Sequence, residues 1–168
     1  MAGFHTKTFT NNDEWMTPKH AWEDIKHFIP KDKVIWEAFY GDGKSGDYLK
    51  ELGFNVIHED VDFFENDLGE VIVSNCPFSL VNRIMPRLKE LNKPFILIMS
   101  TAKINTAPVR QFQQDNPDPI QIIIPRKRIH FTPLVNGKTP DNYKSKCNFE
   151  CYYYVWKIGL ERGVTWLE

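Results

Sequence analysis

Cysteine is scarce in this chain and odd in number: Cys76, Cys147 and Cys151 are all there is. They draw no even disulfide framework, so reduced thiols inside a cell are expected. No apolar run approaches the length of a membrane span and no secretory leader is read, which predicts an intracellular protein in the cytoplasm or nucleus of a host cell. Net charge is nearly absent as well, with 21 Lys and Arg against 22 Asp and Glu. The field of the whole molecule therefore does not advertise a nucleic-acid partner. Internal repeats and low-complexity tracts are missing. No spacing suggests a metal site, because Cys147-x₃-Cys151 has no companion Cys or His nearby. Lys44-Ser45 follows a glycine turn, but the turn is not G-x-x-x-x-G-K-[ST], which excludes a P-loop.

What is present is an ordinary globular composition, 42% hydrophobic over 168 residues, enough for one buried core. Apolar periodicity predicts strands at 34–37, 55–58, 71–74, 95–99, 120–124 and 150–157, and helices near 19–28, 44–52, 79–91 and 106–114. Pro86 argues for a kink or break in the third helix. Alternating strands and helices predict an α/β protein with a doubly wound sheet.

Two segments carry chemistry. Val34-Ile35-Trp36-Glu37 runs into Ala38-Phe39-Tyr40-Gly41-Asp42-Gly43, and a helical pattern follows. Strand, Gly-rich turn and helix let backbone approach a cofactor at the carboxyl edge of a parallel sheet. The acid Glu37 at the strand end suits a cationic group or a ribose hydroxyl better than a pyrophosphate. The second segment is Asn75-Cys76-Pro77-Phe78, after the apolar run Val71–Ser74. An Asn amide oxygen and a main-chain carbonyl can each accept one N–H of a planar amine, while Phe78 offers a face for a heterocycle. Alone, the tetrapeptide also reads as a strand-ending turn.

In order along the chain stand Trp15-Met16-Thr17-Pro18, Glu37-x-Phe39-x-Gly41-x-Gly43, Asp62-Phe63-Phe64, Asn75-Cys76-Pro77-Phe78 and Arg126-Lys127-Arg128-Ile129-His130-Phe131. With these pieces, covering roughly residues 13–157, the chain resembles the S-adenosylmethionine-dependent methyltransferases that modify the exocyclic amine of adenine in DNA, particularly compact phage- and virus-like members. The resemblance implies a single-domain class I methyltransferase (Rossmann-like) fold over residues 1–168: a mostly parallel sheet with an antiparallel C-terminal strand. It implies S-adenosyl-L-methionine as cofactor. Trp15, Thr17 and Pro18 would lie near its methionine end, Glu37, Phe39, Gly41 and Gly43 would hold the amino-acid moiety, and Glu59, with Asp60 as substitute, would bond the ribose hydroxyls. Asp62 would accept from the adenine amine of the cofactor, with Phe63 beside the ring. Asn75, Cys76, Pro77 and Phe78 would form the catalytic site. Taken singly, the acids from Asp60 to Asp67 also fit a solvated loop.

Two departures from the family pattern stand out. Cys76 occupies a position that is usually proline, although the group used there is the main-chain carbonyl, and Pro77 still holds Cys76 extended. About twelve residues separate the second strand from the one ending in Asn75, too few for a full helix and strand. The third-strand region is therefore expected to be abbreviated.

Basic residues cluster at Arg126, Lys127, Arg128 and His130, and again at Lys138, Lys144 and Lys146 in a long segment before the last strand. Arg126, Lys127, Arg128, His130, Lys144 and Lys146 are expected to follow a phosphate backbone and help hold an extruded base; a solvated surface loop is the alternative. The chain leaves no room for a separate target-recognition domain, so sequence preference would come from these loops, a dimer mate or a partner subunit. Two other function classes stay open: RNA adenine or protein glutamine methylation by the same Asn-x-Pro-aromatic site, and a non-catalytic cofactor-fold subunit.

Overall fold

The computed structural model describes residues 15–133 and 149–168. In chain order the elements are β1 (Trp15–Met16), α1 (Lys19–Glu23), β2 (Val34–Trp36), α2 (Lys44–Glu51), β3 (Asn55–Ile57), β4 (Val71–Asn75), α3 (Val81–Leu91), β5 (Phe95–Ser100), α4 (Ala107–Asp115), β6 (Gln121–Ile124), β7 (Thr132–Pro133), β8 (Cys151–Trp156) and β9 (Val164–Trp166). Seven strands form one sheet in the order β3-β2-β4-β5-β8-β6-β9. β8 pairs antiparallel with both its neighbours, and the other pairings are parallel. This is the expected α/β architecture of a mostly parallel sheet with one reversed C-terminal strand, extended by an edge strand, β9, that the periodicity did not predict. No helix among the described residues is long and apolar enough to cross a membrane.

Central strands are apolar on both faces, and the period of two sorts their side chains into two cores. Ile72, Phe95, Leu97, Met99, Tyr154 and Trp156 join the core under α3 and α4. Val71, Val73, Ile96, Ile98, Tyr153 and Val155 join the core under α1 and α2. Each layer is sealed by amphipathic helices, so the sheet is the middle of three layers.

The abbreviated third-strand region is observed directly. Residues 58–70 carry neither strand nor helix, and β3 is left at the edge of the sheet beside β2. The core face of Trp36 needs another cover, and Phe63 supplies it: its ring packs 5.5 Å from Trp36, 4.8 Å from Phe39 and 5.4 Å from Phe64. α3 departs from expectation, because it runs unbroken through Pro86. Pro86 and Asn82, whose carbonyl loses its N–H partner, both face solvent, so that oxygen is not left to the apolar interior. α1 ends earlier than residue 28. The turns after it close with i to i−3 bonds, such as Phe28 N to Ile25 O at 2.9 Å, ahead of Pro30, which disfavours helix before it.

Candidate active site

Parallel strands present their carboxyl ends on one edge, and both chemical segments fall there. β2 ends at Trp36, so Glu37 and the glycine turn leave from this edge, and Asn75 is the last residue of β4. The turn requires glycine at two points, Gly41 (φ +63°) and Gly43 (φ +83°). A Cβ on Gly41 would lie 2.8 Å from Met16 Sδ, and one on Gly43 2.8 Å from Tyr40 Oη. Met16 and Tyr40 thus close over the turn.

Glu37 is 1% exposed. Its Oε1 accepts from the hydroxyl of Ser74, and that hydroxyl in turn accepts from the backbone N–H of Phe39 at 3.2 Å. Oε2 is buried with no partner among the described residues. Burial pushes the carboxyl up to about 8, with a smaller push from the Asp42 charge, and is only partly opposed by the Ser74 hydroxyl, the Phe39 N–H and the Ser45 hydroxyl nearby. A cation brought against Oε2 would restore the ionised form and satisfy the orphaned oxygen. Ser74 binds the two segments into one unit, since it fixes Glu37 and immediately precedes Asn75. Sequence reading missed it, although a lone hydroxyl interrupting Val71-Ile72-Val73 was a visible signal.

The Asn75 side chain is oriented by one bond: Nδ2 donates to the carbonyl of Trp15 at 3.2 Å. Oδ1 is buried without a partner among the described residues, so the amide presents an unused acceptor. Trp15 is held by the pairing of β1 with β7, Trp15 opposite Pro133 and Met16 opposite Thr132. Around Asn75 the aromatics converge. Phe149 lies edge-on to Phe78 (5.4 Å) and to Trp15 (5.7 Å) and is stacked with Phe131 at 5.5 Å. Phe149 and Phe131 were not among the expected site residues. The backbone N–H of Cys76 reaches Ile98 O at 3.4 Å, and its thiol is buried. Pro77 adopts φ −66°, ψ 117° and leads into a 3₁₀ turn at Phe78–Leu80.

The remaining expected residues divide. Thr17 is buried, and Pro18 caps the start of α1. Glu59 and Asp60 are exposed just beyond β3, on the same edge as Glu37. His58 beside them packs so closely on α2 that a Cβ on Gly46 would lie 2.2 Å from its ring, and Tyr40 stacks on it at 5.9 Å. Asp62 spends Oδ1 on the backbone N–H of Phe64 at 2.8 Å, a local turn bond that leaves one oxygen for other work. Phe63, expected beside the adenine ring of the cofactor, is packed on Trp36, Phe39 and Phe64. It is fully enclosed as core, because the missing third-strand helix leaves Trp36 for it to cover. Arg126, Lys127, Arg128 and His130 are exposed while Ile129 and Phe131 turn inward. Arg128 pairs with Glu150 at 2.9 Å. Lys144 and Lys146, and with them Lys138, lie outside the described residues. No three His, Cys, Asp or Glu side chains among the described residues cluster as a metal site.

No family model matches the chain, and no curated protein matches it. Among solved structures, the chain is similar to precorrin-6y C5,15-methyltransferase from Geobacter metallireducens GS-15, at 15% identity and a TM-score of 0.48, over 88% of this chain and 97% of that one.

Proposed function

We propose that this protein is an S-adenosylmethionine-dependent methyltransferase acting on the exocyclic amine of adenine in DNA, as a single domain. The observation that carries the reading is the Asn75 amide: its nitrogen is tied to Trp15 O and its buried oxygen lacks a partner. An acceptor fixed in this way suits an incoming N–H and cannot readily turn to offer its own.

The residues fit the cofactor. Glu37 Oε2, a buried oxygen with no partner among the described residues, suits the ammonium group of the methionine moiety, with the Phe39–Gly43 turn beside it; Glu59 or Asp60, exposed just beyond β3, would serve the ribose hydroxyls. When bound, S-adenosylmethionine supplies an activated methyl group. The protein's own task is then alignment. Asn75 Oδ1 and the Cys76 carbonyl accept the two amine hydrogens and favour a tetrahedral nitrogen, releasing its lone pair from the ring. Both bonds strengthen as positive charge grows on nitrogen, which is the differential stabilisation that catalysis needs. Phe78, next to the Asn75 turn, offers an aromatic face for the ring to stack on, and the amine proton leaves to water.

Transfer of a tritiated methyl group to pools of DNA, RNA and protein tests the reading. Label recovered from DNA as N6-methyladenine is expected. Label confined to RNA or protein moves the substrate class, and label in no pool despite cofactor binding removes the catalytic claim.

A further inference from the structure

On the same edge of the sheet, away from Asn75, lies a cleft of about 740 Å³ that the amine-acceptor chemistry leaves unused. One wall is α1 and the turns after it, with His20, Asp24, His27 and Phe28; a second is the basic segment with Arg126, Lys127, Arg128 and His130, and the end of β9 with Trp166 and the acid Glu168 completes the lining. Trp166 stands at its rim, 70% exposed, the most exposed of the large hydrophobic side chains among the described residues. The pairing of β9 with β6 fixes its place: Trp166 is opposite Ile124, and Leu167 N donates to Ile124 O at 3.0 Å. The indole therefore stands beside the start of the basic segment on a rigid ladder.

We infer that this cleft binds single-stranded nucleic acid, with Trp166 stacking a base and Arg126 and Lys127 holding the adjoining phosphates. Neither cation forms an ion pair among the described residues, whereas Arg128 is neutralised by Glu150 and His20 lies 3.6 Å from Asp24. An exposed tryptophan beside two uncommitted cations matches a polyanion with flat faces, and single strands expose both. The route onward to the active site is covalent and short. The chain leaves the cleft at His130, buries Phe131 against Phe149, and pairs through Thr132 with β1, whose Trp15 carbonyl holds Asn75. A strand seated in the cleft would thus flank the base delivered to Asn75. The inference rests on the nucleic-acid reading of the substrate, so its probe is chosen to contain no adenine.

The experiment measures fluorescence anisotropy of a labelled oligothymidylate and, as control, a blunt G·C duplex. Wild-type protein should bind the oligothymidylate, and Trp166→Ala should weaken that binding about 5- to 150-fold while Trp166→Phe keeps most of it. Duplex binding, in which base faces are hidden, should change little with either variant. An exposed side chain is replaced, so an unchanged Tm is expected and verifies folding. Equal oligothymidylate affinity in wild type and Trp166→Ala, or no binding by wild type, overturns the cleft. Oligothymidylate binding that depends on Trp166, in a protein that never methylates adenine, leaves the cleft standing and removes the catalytic reading alone.

Discussion

Asn75 and Glu37 are each half-satisfied: one polar atom of each side chain is hydrogen-bonded, and a buried oxygen of each has no partner among the described residues. Asn75→Ala removes one positioned acceptor and little packing. Methyl transfer should fall about a hundredfold or more while Tm and cofactor affinity stay near wild type. Phe78→Ala should act mainly on substrate binding through lost stacking, worth about 1–3 kcal/mol. Cys76→Pro keeps the carbonyl but deletes the N–H that reaches Ile98 O, so it should cost about 1 kcal/mol of stability and preserve turnover. For Glu37 the pH dependence has a definite sign. Its folded pKa of about 8 lies above the ordinary value of 4.5, so the ligand-free fold holds its proton more tightly than the unfolded chain. The associated stability is complete below pH 4.5 and is lost as pH rises through about 8. Thermal melts of the ligand-free protein should show Tm falling across that window, and Glu37→Gln should flatten the fall while weakening S-adenosylmethionine binding measured by calorimetry. An equal pH slope in both proteins would move the titration to another group.

At the level of elements, the strands were legible because burial on both faces leaves little ambiguity: β2, β4, β5 and β8 lie within a residue or so of their expected bounds. β1, β7 and β9 were not, since two- or three-residue strands have no period to read and depend on tertiary pairing. The site shows the same split. Asn75 and Glu37 are visible as strand-ending polar residues, whereas Ser74, Phe149 and the Trp15 carbonyl join them only through contacts distant in sequence. The burial of Phe63 against Trp36 is not legible either, because it depends on residues 58–70 forming no helix. Pro86 offers a test at this scale. It lies on the exposed face of α3, so Pro86→Ala restores a helical N–H without disturbing the core. Chemical denaturation should show a gain of about 1–3 kcal/mol, less than the full proline penalty because the unfolded chain also gains freedom. A loss of stability would mean that the proline ring itself packs productively there.

Across the whole molecule, a balanced net charge hides an uneven surface: the cations of 126–128 are gathered at the edge of the sheet that also carries Glu37 and Asn75. Replacing Arg126, Lys127 and Arg128 together with Ala should weaken nucleic-acid binding, lower its salt slope and spare cofactor affinity. Identical salt slopes would take this segment off the binding face. The most direct measurement of the central claim is single-turnover methyl transfer from S-adenosylmethionine to an adenine-containing DNA, comparing wild type with Asn75→Ala at saturating cofactor. The amine-acceptor account predicts N6-methyladenine from wild type and a rate lower by about a hundredfold or more in the variant. Equal rates in the two proteins would contradict it.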